Sequence, residues 1–278
     1  MGISEDGFRQ MYQELQTLLT KMLKSRGYVA YLSVEEAELL TECPKGHDIA
    51  GDDSCEGYIG YPKSPLVRVI SVLLARIMFS GTCPMTDLPD FPVFKEIYGH
   101  DERLNTIHWI RDQLAGALTL WDVWEDGRKM YMLSSVLRRL RRRGLLDLLK
   151  LRRTVGSTDL LPIPRERLLK TCEQLNDPRS KLTVCARALD KHAVRDSTKF
   201  WGETGGTEES KNARALEKVN FLLDNATWIN IHQLPGAIPT IEIRIPEGYG
   251  VRFDYKPLAF RGFLEPQQEE GWLTRYRH

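Results

Sequence analysis

Trp228-Ile229-Asn230-Ile231-His232, Ile241-Glu242-Ile243-Arg244-Ile245, Val251-Arg252-Phe253-Asp254-Tyr255 and Phe260-Arg261-Gly262-Phe263-Leu264-Glu265 alternate apolar and polar residues along the last quarter of the chain. A period of two is the signature of strands with one buried and one polar face. Ile229, Ile231, Ile241, Ile243, Ile245, Val251, Phe253 and Leu264 fall on one face. Asn230, His232, Glu242, Arg244, Arg252, Asp254, Arg261 and Glu265 fall on the other, with Trp228 beside them. Pro235-Gly236, Glu247-Gly248 and Lys256-Pro257 supply the turns, which predicts a small antiparallel sheet.

Upstream the period changes to that of helices. Phe8, Met11, Tyr12, Leu15, Leu18, Leu19 and Met22 mark a first amphipathic helix, and Ser33 caps a second over 34–40. Further helices are expected over 66–79, 101–124 and 128–143, the last stopped by Gly144 in a left-handed cap. After Thr154-Val155-Gly156-Ser157-Thr158-Asp159, with Pro162 and Pro164, come helices over 165–175, 179–195 and 208–224. The order predicts an α+β fold, with a mainly helical N-terminal half followed by helices packed on a small C-terminal antiparallel β-sheet. The expected division is a helical region over 1–155 and an α+β region over 156–278.

Hydrophobic content of 42% and charged content of 28% are ordinary for a folded protein, and a net charge of +1 creates no global field for a polyanion. The longest apolar stretch is interrupted by Arg68 and Arg76, so no membrane span is expected. Cys43, Cys55, Cys83, Cys172 and Cys185 form an odd, scattered set, read as reduced thiols of a soluble cytoplasmic protein.

The polar sheet face is built from arginine, acid, histidine and asparagine, a palette suited to a ligand site. Arg244, Arg252 and Arg261 offer planar forks of donors that match phosphate or carboxylate. Glu242 and Glu265 suit a divalent cation such as Mg²⁺ or proton transfer, His232 titrates near neutrality, and Trp228 and Asn230 complete the surface. His192 and Arg195 close a helix that would abut this face. The bland alternative is a set of cross-strand ion pairs on a solvated surface. A second candidate is the basic helix, where Arg138, Arg139, Arg141 and Arg142 oppose the apolar Leu133, Val136, Leu137 and Leu140. Such a face suits nucleic-acid phosphate.

Other motifs carry less. Gly205-Gly206-Thr207 lacks the lysine of a P-loop, so Thr207 reads as a helix N-cap. Cys43, His47, Cys55 and Cys83 match no standard zinc spacing, and there is no Gly-x-Ser-x-Gly elbow.

Trp228-Ile229-Asn230-Ile231-His232 followed by Thr240-Ile241-Glu242-Ile243-Arg244 resembles the closing strands of carboxylate–amine ligases of the amidoligase type. The resemblance spans fewer than twenty residues and implies an ATP-fuelled amide-forming site. The reading that follows is an enzyme for a small anionic substrate bearing phosphate or carboxylate. In it Arg244, Arg252, Arg261, His192 and Arg195 bind charge, and His232, Glu242 and Glu265 do the chemistry, with hydrolysis, transfer and ATP-dependent ligation all compatible. The alternative is a non-catalytic RNA- or phosphoprotein-binding module that uses the 138–153 helix.

Overall fold

The computed structural model describes residues 4–25, 27–43, 57–86, 88–91, 94–97, 100–233 and 236–267. Helix α1 (Glu5–Lys24) is capped by Ser4, and α2 (Val34–Thr41) by a capping box in which Ser33 and Glu36 satisfy each other's backbone N–H. Helix α3 (Leu66–Ser80) is apolar nearly all round and buried, which makes it the core of the front half. Gly81 ends it in the left-handed conformation. Helices α4 (His100–Leu118) and α5 (Asp126–Leu148) complete that half. Among the described residues none of the helices is long and apolar enough to cross a membrane.

Several expected boundaries move, the helix expected over 165–175 ending at Cys172 among them. Helix α4 stops at Leu118, and Trp121–Val123 form a 3-10 turn that buries Trp121 and lets its indole N–H donate to Glu14 at 2.9 Å. Helix α5 runs past Gly144, because Leu145, Leu146 and Leu148 are buried; Gly144 is helical and packs under Leu140. The backbone break falls instead at Arg141, with φ 51. Helix α7 (Val184–Arg195) starts later than Pro178 suggests, since Thr183 accepts the Ala186 N–H at 3.1 Å as the true cap.

Helices α6 (Arg165–Cys172), α7 and α8 (Glu208–Asp224) precede the sheet of β1 (Trp228–His232), β2 (Thr240–Arg244), β3 (Gly250–Tyr255) and β4 (Leu258–Leu264). The strands form an antiparallel meander in the order β1-β2-β3-β4, so the expected α+β architecture stands. Ile229, Ile231, Ile241, Ile243, Val251 and Phe253 are buried on one face, where α8 brings Ala215, Val219, Leu222 and Leu223.

Residues 152–158 run beside β1, donating Arg152 N–H to Ile229 O (2.7 Å) and Thr158 N–H to Ile231 O (2.8 Å). This segment satisfies the outer edge of β1, which would otherwise present unpaired backbone groups. Arg152 is the rivet between the two halves. Its guanidinium reaches Glu96 (2.9 Å), Pro89 O (2.9 Å) and Thr227 O (3.1 Å), and lies over the Trp228 ring. Removing one partner of such a buried pair costs about 3–5 kcal/mol. Arg152→Ala is therefore expected to lower the urea midpoint correspondingly and to change Trp228 fluorescence; a loss below about 1 kcal/mol would refute this role.

Candidate functional site

The polar face of the sheet is organised by Glu242. Its Oε1 accepts from Arg244 Nε at 2.5 Å, and its Oε2 accepts from Arg252 Nε at 2.8 Å and Nη2 at 2.7 Å. Register explains the convergence, because Asn230, Glu242 and Arg252 are cross-strand partners in one row. Burial opposes ionisation of Glu242, but the two guanidinium charges outweigh it and hold the carboxyl below its ordinary value. Arg244 is 1% exposed and also donates to Gly248 O and to Glu265 O, the latter at 2.9 Å. Gly250 pairs opposite Arg244, and a Cβ there would sit 2.8 Å from the arginine Cγ.

Much of the expected ligand palette is thus internal. Trp228 is 1% exposed, stacked on Phe94 at 4.8 Å and tilted against Phe91 at 5.2 Å, and is not a free platform. Asn230 is spent on Ser157 (2.7 Å) and Thr154 (3.0 Å). His232, Arg252 and Arg261 form the accessible rim, with Arg261 donating to Thr240 (2.9 Å) and Asp254 (3.2 Å). His232 Nε2 stands 4.0 Å from Glu242.

Glu265 is not on this face. A β-bulge at Arg261, opposite Arg252 and Phe253, inserts one residue and reverses the alternation beyond it, so Phe263 rather than Leu264 pairs with Val251. Glu265 consequently turns toward α7, and its Oε1 lies 2.6 Å from His192 Nδ1 and accepts the Trp201 indole N–H at 2.8 Å. The sheet therefore separates the two carboxylates expected to act together, and joins Glu265 to His192 instead. Both members of this pair are about a quarter exposed, within reach of a ligand. Gly262 inside a strand was the sequence signal for the bulge.

The basic helix divides in the same way. Arg142 is bound to Glu36 and Tyr31 O, Arg143 to Asp147 and Asp159, while Arg138, Arg139 and Arg141 are exposed. Arg195, at the end of α7, is exposed as well. His47 and Cys55 lie outside the described residues. Cys83 is buried, and burial pushes its thiol up to about 11. Among the described residues no three His, Cys, Asp or Glu side chains cluster as a metal site.

Residues 172–265 match the family model of the CdiA C-terminal tRNase toxin domain. Neither a curated protein nor a solved structure matches the chain. The matched segment, about a third of the chain, holds α7, α8 and all four strands, and stops at Glu265. The matched family acts on tRNA, which overturns the expectation of an enzyme for a small anionic substrate, with its anion-binding role, and the ligase resemblance with it. The RNA partner of the alternative reading is the better supported one. Its expected location, Arg138 to Arg153, falls outside the matched segment.

Two outcomes follow from the Glu242 cluster. Glu242→Gln leaves Arg244 buried beside a neutral partner and is expected to cost about 3–5 kcal/mol, read by urea unfolding; a near-neutral result would show that the cluster is not structural. Burial, followed by the charges of Arg252, Arg261 and Arg244, lowers the His232 pKa despite the opposing pull of Glu242. Below about 6.5 the unfolded chain then binds a proton that the folded chain refuses, so stability declines as pH falls through that window. His232→Asn should flatten the melting temperature between pH 7 and the lowered folded value, and an unchanged slope would refute the assignment.

Proposed function

We propose that residues 172–265 form an RNA-cleaving module directed at tRNA, with His192 and Glu265 as its acid–base pair. The observation that carries this reading is the family match, whose span includes both residues and all four strands. Geometry supplies the chemistry. A carboxylate 2.6 Å from Nδ1 fixes the imidazole with its proton on Nδ1 and leaves Nε2 as the base. The Trp201 N–H donates to the same carboxylate oxygen and helps to hold Glu265 in place.

In this mechanism His192 Nε2 takes the proton of an RNA 2′-hydroxyl. The new bond joins O2′ to the adjacent phosphorus, the P–O5′ bond breaks, and the departing 5′-oxygen takes a proton from a water, whose hydroxide is neutralised by the proton on His192 so that the base is restored. The products are a 2′,3′-cyclic phosphate and a 5′-hydroxyl. Glu265 stabilises the imidazolium that forms, and Arg195, one turn beyond His192 on α7, is placed to meet phosphate charge. A tRNA substrate puts the activity in the cytoplasm.

Incubation of the intact protein with tRNA, resolved on denaturing gels, is expected to give discrete fragments ending in cyclic phosphate. His192→Ala and Glu265→Gln should each lower the rate by about 10²–10⁴-fold while the circular dichroism spectrum stays native. A wild-type protein that leaves tRNA intact refutes the function. Cleavage undiminished in His192→Ala refutes the assignment of the pair.

A further inference from the structure

We propose that Tyr249, stacked on Phe200, is a nucleobase platform that seats a base next to the scissile phosphate; this rests on the reading of residues 172–265 as an RNA-cleaving module. The two rings lie face to face, with centroids 3.6 Å apart and an interplanar angle of 7°. Aromatic side chains packed only for burial favour offset or edge-on contacts, as Trp201 shows against both of these rings at 86° and 88°. A parallel stack is instead one that a planar base can extend by lying on its open face.

The stack is fixed from several sides. The Lys218 ammonium sits 4.4 Å from the Phe200 centroid and donates to Phe200 O at 2.7 Å, so a cation covers one end. The Tyr249 hydroxyl lies 2.9 Å from Thr198 Oγ1, which sets the ring plane. Its turn is closed by Ile245 N–H to Tyr249 O at 3.0 Å and held by Arg244 on Gly248 O. Among the described residues no aromatic ring covers the other face of Tyr249, and both Phe200 and Tyr249 are only partly buried.

Trp201 ties this stack to the proposed chemistry. It touches the stack edge-on, lies 5.0 Å from the His192 ring, and donates to Glu265. A base on Tyr249 and a phosphate at His192 therefore flank one indole. Base–aromatic stacking is sequence-tolerant, because every base has a π-face.

The test compares Tyr249→Ala, Tyr249→Leu and Tyr249→Phe in two assays. One is tRNA cleavage by the full chain; the other is anisotropy of a fluorescein-labelled single-stranded RNA with His192→Ala as the common background. Loss of one base stack should raise KM and Kd by about tenfold in Ala and Leu, with kcat and the salt dependence of binding little changed and Phe near wild type. Leu keeps the side-chain volume, so it decides the matter should Ala fail to fold. If Tyr249→Leu folds and both KM and Kd stay at the wild-type value, the platform is refuted while tRNA cleavage stands. If tRNA is never cleaved yet Tyr249→Leu still weakens RNA binding tenfold, the platform stands and the catalytic reading falls. If the chain neither cleaves nor binds RNA, both fall.

Discussion

The structure of the C-terminal half depends on one buried carboxylate held between two guanidinium groups. Glu242 alone would be costly to bury, and so would Arg244; together, with Arg252 on the second oxygen, each supplies the other's missing solvation. The consequence reaches beyond the pair. Arg244 is committed to Glu242 through Nε, and its Nη1 is left to bind two backbone carbonyls, those of Gly248 and Glu265. One fixes the turn that carries Tyr249; the other fixes the end of β4, which carries Glu265. The aromatic stack and the His192–Glu265 pair are thus suspended from the same buried charge.

The bulge at Arg261 gives that suspension its direction. Without the inserted residue, Glu265 would extend onto the Glu242 face, close to another carboxylate. With it, Arg261 stays on the polar face to meet Thr240 and Asp254, while Phe263 enters the core and Glu265 meets α7. A single register change therefore separates the buried Glu242 ion cluster from the partly exposed His192–Glu265 pair.

The sequence was legible where the physics is local. Period-two and period-3.6 patterns, Ser33 and Thr207 as caps, and the glycine turns located the strands and most helices, and the α+β order followed. It was not legible where tertiary contact outweighed a local signal. Burial of Leu145 and Leu146 carried α5 past Gly144, and the docking of Trp121 on Glu14 cut α4 short. The placement of the candidate residues was only partly legible. Strict alternation put Glu265 beside Glu242, whereas the bulge turns it to His192, and residue type alone did not reveal that Glu242 and Arg244 are buried against each other. Tyr249 belongs to no sequence pattern, because its stacking comes from a turn folding back on Phe200.

The relation between the matched segment and the rest of the chain is also set by burial. The match covers every strand, yet the lid on the polar face comes from outside it. Phe91 and Phe94 cover Trp228, Thr154 and Ser157 satisfy Asn230, and Arg152 caps Thr227 O. Stripped of these, the β1 side of the sheet would expose an indole, an amide and the flank of a buried arginine, so the front half is part of the fold of this module. Those contacts gather at β1, one edge of the strand order, whereas His192 meets the end of β4 at the opposite edge. The front half thus braces the sheet from the side where its buried polar groups need partners, and leaves the His192–Glu265 pair on the far edge partly exposed.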